Sequence, residues 1–411
     1  MSAAIAIYVH LPWCVRKCPY CDFNSHAAPE RIPEEAYVAA LLADLDADLD
    51  LAAGRTVTSV FLGGGTPSLF GTGAIETLLT GLAARLPFAA DVEITMEANP
   101  GTVEHGRFEG YAAAGVNRVS LGAQSFDAAR LKVLGRIHGP EEIGIAVSEL
   151  RAASITNFNL DLMYALPEQT TAGALADLAS AIALEPAHLS HYQLTLEPGT
   201  AFYYRPPALP DDDQSFEMQC ECQQILAAVG FGQYEISANA QPGRQCRHNL
   251  NYWRYGDYLG IGAGAHGKVT VAGRVIRTEK PRMPREYLRR TTEGMGAGGT
   301  RRPVPAVDLP FEFMLNALRL NEGFTIGDFE RATGLTADAI VPGLMALAAR
   351  SLVAETGGRW RPSELGFRFL NELQAAFLPP GQAVAGTGEL YTAPSRLASE
   401  RHFGHIVTEV P

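Results

Sequence analysis

Three cysteines stand within eight residues, in the stretch Cys14-Val-Arg-Lys-Cys18-Pro-Tyr-Cys21. Three thiolates in one short loop can each ligate a different iron of a cubane cluster. The fourth iron then has no protein ligand. An open iron beside a bound sulfonium can pass it one electron and cleave a carbon–sulfur bond, which is why this chemistry calls for three cysteines rather than four. A zinc loop is the competing reading, since zinc takes four ligands and His10 or His26 would complete the set. Of the other cysteines, Cys220 and Cys222 fall two apart on an expected helix, point different ways and read as buried thiols; Cys246 stands alone.

The elements that must hold this loop are legible as alternation. Short β-branched runs at Ile5–Val9, Val57–Leu62, Val92–Glu97, Val116–Gly122, Asn157–Leu162 and Leu189–Leu194 alternate with segments of helical periodicity. One of these is Glu34 to Leu51, with Pro33 at its start and Gly54 past its end. Six β/α units in sequence predict parallel strands joined by right-handed crossovers, hence an α/β fold built as an open or partial barrel. The cysteine loop directly follows the first strand. Gly63-Gly-Gly-Thr-Pro67 follows the second, where glycines let backbone approach a ligand. Glu97, Gln124 and Asp161 are expected to end the third, fourth and fifth strands, at the rim where barrel sites are built. Three polar residues aimed at one mouth suggest a ligand with an amine, hydroxyls and a carboxylate.

Composition bounds the rest. A chain of 411 residues with 47% hydrophobic side chains can bury a large core, and its net charge of −12 leans away from nucleic acid. No basic residue precedes the first apolar run, so no signal peptide is expected, and no apolar stretch approaches a membrane span. The expected location is the cytoplasm, where thiols stay reduced. The expected divisions are a barrel over 1–205, an extension over 206–305 after a Pro- and Asp-rich boundary, a winged-helix-like domain over 306–380 and a mobile tail over 381–411. The third reads as helices, then a hairpin turning at Gly357-Gly358, then a helix. Its Leu309–Phe377 stretch carries six Arg, no Lys and eight acidic residues, which favours a lid or interaction role over DNA binding.

A Cys-x3-Cys-x2-Cys loop after strand one resembles the signature of the radical S-adenosylmethionine (SAM) superfamily. Tyr8-Val-His-Leu-Pro-Trp-Cys14, Glu97-Ala-Asn-Pro-Gly101, Gln124-Ser-Phe126, Arg136-Ile-His-Gly139 and Asn159-Leu-Asp-Leu-Met163 are similar to the oxygen-independent coproporphyrinogen III oxidase (dehydrogenase) family, in particular its HemW-like branch of proposed heme chaperones. The resemblance implies a partial (β/α)6 radical SAM barrel with an extension and a small C-terminal domain. It implies a [4Fe–4S] cluster on Cys14, Cys18 and Cys21, and SAM contacts from Tyr8, Tyr20, Gly64, Gly65, Thr66, Glu97, Gln124, Arg136 and Asp161. An electron donor for the cluster is implied as well.

Two departures separate the chain from the dehydrogenases of that family. Where they carry a fourth cysteine, two residues after the third, this chain has Phe23; and only seven residues precede Tyr8 in place of a long N-terminal extension. In return, Arg247-His-Asn-Leu-Asn-Tyr-Trp253 resembles the HNxxYW element associated with heme in the chaperone branch. There His248 would supply an imidazole to iron while Tyr252 and Trp253 offer flat faces to the macrocycle. The competing reading has His248 and Asn249 capping a turn, with Tyr252 and Trp253 packed in the core and Cys246 a second ligand or a core residue. The resemblance favours heme delivery to an acceptor protein over oxidative decarboxylation of coproporphyrinogen III.

Overall fold

The computed structural model describes residues 4–101, 106–293 and 299–379. Its centre is one parallel run of strands: β1 (Ile5–Leu11), β2 (Val57–Gly64), β3 (Phe88–Ala98), β4 (Arg118–Gln124), β5 (Phe158–Tyr164) and β6 (His188–Gln193), adjacent in sequence order. Every residue of β1 is buried, as a strand covered on both faces requires. Ile5, Ile7, Val9 and Leu11 meet the helix layer, whereas Ala6 and Tyr8 face the concave side. Each fully buried aliphatic side chain contributes about 1.5–3 kcal/mol, so the helix-facing row holds the strand firmly in register.

The segment over 206–305 does not form a separate layer. It adds β7 (Gly232–Glu235) and β8 (Ala238–Ala240) to one edge of the same sheet. To the other edge it adds β9 (Tyr258–Ile261), β10 (His266–Val271), β11 (Arg274–Glu279) and β12 (Thr300–Pro303). Strand β9 pairs parallel to β1, with Tyr8 opposite Gly260, so the parallel run has seven members rather than the expected six. On its other side β9 lies close to β10, where a side chain on Gly260 would meet the His266 carbonyl oxygen at 1.8 Å. The result is an open twelve-stranded sheet.

The Glu34–Ala52 helix runs one residue past the expected Leu51, and Ala53 itself adopts the left-handed conformation, φ 51°, before Gly54 at φ 70°. On the Asp212–Ala228 helix Cys222 is buried but Cys220 is only half-buried, which corrects the reading of both as buried thiols. The C-terminal region has the expected order: helices Leu309–Ala317, Ile326–Thr333 and Val341–Ala349, then hairpin β13 (Val353–Thr356) and β14 (Arg359–Pro362), then two short helices. Gly357 and Gly358 both have positive φ at the hairpin turn, as that turn demands. The expected tail, 381–411, lies outside the described residues.

A buried ion pair joins this region to the sheet. Arg277 of β11 donates to Glu312 at 2.8 Å, and the Tyr255 hydroxyl donates to the same carboxylate at 2.6 Å. Removing one member leaves the other charged and unpaired, at a cost of about 3–5 kcal/mol. Glu312→Ala should therefore lower the unfolding free energy by about that amount, read from the downward shift of the denaturant midpoint, with amide exchange accelerated first across Leu309–Phe377; Glu312→Gln, which still accepts from Tyr255, should lose less.

Candidate active site

The cysteine loop emerges from the C-terminal end of β1 and is pinned before any ligand is considered. His26 N donates to Pro12 O at 2.7 Å and Ala28 N to Cys14 O at 2.8 Å. The Asn24 amide donates to Ala263 O and Arg282 O, both at 2.9 Å, which ties the loop to the β9–β10 connection. Pro19 rests on Gly135, where an added Cβ would lie 2.8 Å from its Cδ, and its carbonyl accepts from Phe202 N at 3.0 Å. All three thiols are half-buried and close enough to feel one another's charge. Each sulfur has its own hydroxyl or guanidinium neighbour. Thr66 Oγ1 donates to Cys14 at 3.5 Å, Arg136 Nη1 to Cys18 at 3.8 Å, and Ser25 Oγ lies 3.8 Å from Cys21. Without a ligand, burial pushes the Cys21 thiol up to about 11 and the Cys14 thiol in the same direction.

Among the described residues no three His, Cys, Asp or Glu side chains close on a point as a single metal ion requires. A cubane asks for less convergence, because each thiolate meets a different iron. His10, a candidate for completing a zinc set, is occupied: its Nδ1 meets Tyr8 Oη at 2.9 Å and its Nε2 meets Asn24 O at 3.0 Å. Burial holds its pKa down to about 4, so the ring is neutral. His26 faces Asn24 Oδ1 at 3.3 Å.

The glycine segment has a sharper reason than ligand approach. A Cβ on Gly64, φ 109°, would lie 2.4 Å from the His10 ring, and one on Gly65 would lie 2.6 Å from Trp13 O. Glycine lets the end of β2 press against the end of β1. The segment's amides are spent internally: Gly64 N on Glu97 at 3.0 Å, Gly65 N on Leu11 O and Thr66 N on Trp13 O, both at 2.8 Å. What it can offer an amine is carbonyl oxygen.

The other expected contacts gather on the same concave face. Glu97 and Gln124 lie at the strand ends. Gln124 has φ 66°, a strained value for a residue with a side chain, and accepts from Tyr192 Oη at 2.7 Å. Asp161 does not end its strand; β5 continues to Tyr164, and Asp161 is bonded to Asn159 at 2.7 Å and Ser120 at 3.2 Å. Arg136 bonds Gly122 O at 2.8 Å and also Asn99 Oδ1. Tyr20 lies tilted against Phe202, ring centroids 6.4 Å apart, beside Arg136 and Cys18. Tyr8 is buried, with its hydroxyl on His10 and its ring on Phe61 at 6.4 Å. Two residues were missed: Asn99, bridging Arg136 and Thr66, and Tyr192. Both could have been found by the strand-end rule that singled out Glu97.

The His248 segment lies away from this mouth. The Arg247–Trp253 helix packs under β2 near its first residues, and Glu93 of β3 accepts from the amides of Arg247 at 3.2 Å and His248 at 3.1 Å. His248 Nδ1 meets Ser59 Oγ at 3.0 Å and Nε2 meets Tyr252 Oη at 2.9 Å. As packed, neither nitrogen is free to meet an iron. Burial and the Arg118 charge lower the His248 pKa to about 3. Tyr252 and Trp253, neighbours on a helix, point different ways: Tyr252 edge-on to Tyr258 at 4.5 Å, Trp253 under the Arg319 guanidinium at 4.2 Å. Cys246 is fully buried, its thiol pushed up to about 12, first by burial.

Comparisons with known proteins agree with the loop and the sheet. Residues 8–179 match the Radical SAM superfamily and residues 304–369 the HemN C-terminal domain. "Heme chaperone HemW" of Escherichia coli (strain K12) is 52% identical over 376 residues, covering 91% of this chain and 98% of that protein. The chain belongs to the HemW family of radical SAM proteins. HemW of Haemophilus influenzae is 48% identical over the same share of each chain. The solved coproporphyrinogen III oxidase (HemN) from Escherichia coli has the same fold, with a TM-score of 0.77 over 92% of this chain and 90% of that one at 23% identity.

Burial raises both carboxyls of this HemW-family site, Glu97 and Asp161, above the usual carboxylate range. Burial, and then the charge of Asp161, push Glu97 up to about 8, against the opposing Gly64 N–H. A carboxyl raised this far keeps its proton at pH 7 and yields it when a cation settles beside it. SAM binding at pH 7 should therefore release close to one proton (~1) per site, fading above about pH 9, where Glu97 is already ionised. Calorimetry in buffers of different ionisation enthalpy reads this directly, and Glu97→Gln should abolish the release.

Proposed function

We propose that this chain is a heme chaperone: it holds a [4Fe–4S] cluster on Cys14, Cys18 and Cys21 with SAM at the open iron, binds heme and hands it to an acceptor protein in the cytoplasm. The observation that carries the reading is the cysteine loop itself, three thiols each beside its own polar neighbour, with Phe23 where a fourth cysteine would stand. The name borne by its relatives of 52% and 48% identity supports it. Among the described residues no helix is long and apolar enough to cross a membrane.

Within this reading the cluster supplies an electron to SAM when both are bound. The chain's own residues orient and shield: Gly64 to Thr66 turn backbone oxygen toward the amine, Arg136 can pair the carboxylate, and Asp161 can accept from the ribose. The electron donor and the acceptor are separate proteins.

Anaerobic reconstitution tests the proposal. Wild type should hold about four irons per chain, as one cubane with three protein ligands implies, and should bind heme. The Cys14, Cys18 and Cys21 triple change to Ala should hold no cluster. With SAM and a strong reductant the wild type should not convert coproporphyrinogen III; clear turnover would move the chain to the dehydrogenase reading.

Heme reaches His248 in this proposal only after the Tyr252 hydroxyl releases Nε2. Tyr252→Phe removes that competitor, so it should tighten heme binding several-fold, about 1 kcal/mol for one hydrogen bond, while His248→Ala should weaken it and move the Soret band. No change in either variant would make the segment a structural plug alone.

A further inference from the structure

The hydrogen bonds that begin at Arg136 can run in only one direction. A guanidinium donates and never accepts, so the Asn99 atom facing it is the carbonyl oxygen. The amide nitrogen of Asn99 is thereby turned to Thr66 Oγ1 at 3.0 Å. That NH2 can only donate, so the Thr66 oxygen serves as acceptor and its own proton is left to point at Cys14 Sγ, 3.5 Å away. Amide oxygen and nitrogen are often interchangeable in placement; here the arginine decides. Both ends are fixed by backbone: Arg136 also donates to Gly122 O, and Thr66 N donates to Trp13 O, next to Cys14.

We infer that Asn99 is a positioning residue that sets the reduction potential of the cluster by committing the Thr66 hydroxyl to the Cys14 sulfur. This rests on the assignment of the three cysteines to a cluster. A hydrogen bond to a cluster sulfur stabilises the more negative, reduced state and raises the potential. Removing the donor makes the cluster harder to load with an electron and a stronger reductant once loaded. Asn99→Asp has nearly the same shape and keeps its arginine partner. It offers Thr66 an acceptor in place of a donor, so the hydroxyl proton turns to the new carboxylate and away from Cys14.

The added charge alone lowers the potential, so a double-mutant cycle separates the two effects. Wild type, Thr66→Val, Thr66→Ser, Asn99→Asp and the Asn99→Asp/Thr66→Val double variant are reconstituted without SAM. Iron is counted and the midpoint potential measured by EPR-monitored titration. Thr66→Val should lower the potential and Thr66→Ser should hold it at the wild-type value. In the Asn99→Asp background, Thr66→Val should add no further downward shift. An equal shift in both backgrounds overturns the role of Asn99, and so does loss of iron in Asn99→Asp while Thr66→Val stays loaded. No shift in Thr66→Val alone overturns the hydroxyl–sulfur bond on which that role depends. A wild type without a four-iron cluster overturns the cluster assignment and this inference with it.

Discussion

Charged and polar groups inside a half-closed sheet must find partners there, because water does not reach them and each unpaired group costs about 1–3 kcal/mol. The concave face of this sheet carries Glu93, Arg118, Ser120, Asn159, Asp161, His188 and Ser190, all buried. Their satisfaction shapes the molecule. Asn159 alone serves Ser120, Asp161, His188 and Ser190, and His188 passes the chain on to Tyr234 at 2.8 Å. Glu93 is met by the start of the Arg247–Trp253 helix. The lower end of the half-barrel is thus closed by the extension, and the upper end is left for the cysteine loop.

That division also orders the chemistry. Below, most of the polar groups are held by one another through Asn159 and His188, while Arg118 Nε has no hydrogen-bond partner among the described residues. Above, Glu97, Gln124 and Arg136 stand where the strands end, and each still has capacity to exchange a partner: a raised proton on Glu97, a strained backbone at Gln124, a guanidinium shared among Asn99, Gly122 and Cys18. On the function proposed here the site takes a ligand bearing amine, sulfonium, carboxylate and hydroxyls, which needs such exchangeable bonds, and the network around Asn159 beneath it keeps them aligned.

Much of this was legible in the sequence, for identifiable reasons. Short runs rich in β-branched and other apolar residues announced strands β1 to β6; the Cys triplet and Gly63 to Pro67 could be placed because they directly follow such runs. Strand β9 was not legible as a parallel partner of β1, since Tyr258–Ile261 is four residues long and its pairing is a long-range event that no local pattern encodes. Asp161 was placed at a rim because its strand looked shorter than it is. The His248 segment was ambiguous for a deeper reason: a histidine among aromatics can serve a macrocycle or a helix, and only Ser59 and Glu93, distant in sequence, reveal what surrounds it.

The strapping of the cysteine loop has a consequence for assembly. Pro19 is seated on Gly135, Asn24 is tied to the β9–β10 connection and Ala28 is bonded back to Cys14, all through protein contacts. The conformational entropy of closing the loop is therefore spent when the sheet folds, not when iron arrives. In a zinc finger the metal's binding energy is folding energy, and chelation unfolds the domain. On the function proposed here, a scaffold that donates a finished cubane would have only to exchange thiolates onto this strapped loop, and a chain stripped of its cluster by oxygen would keep its shape and could be refilled.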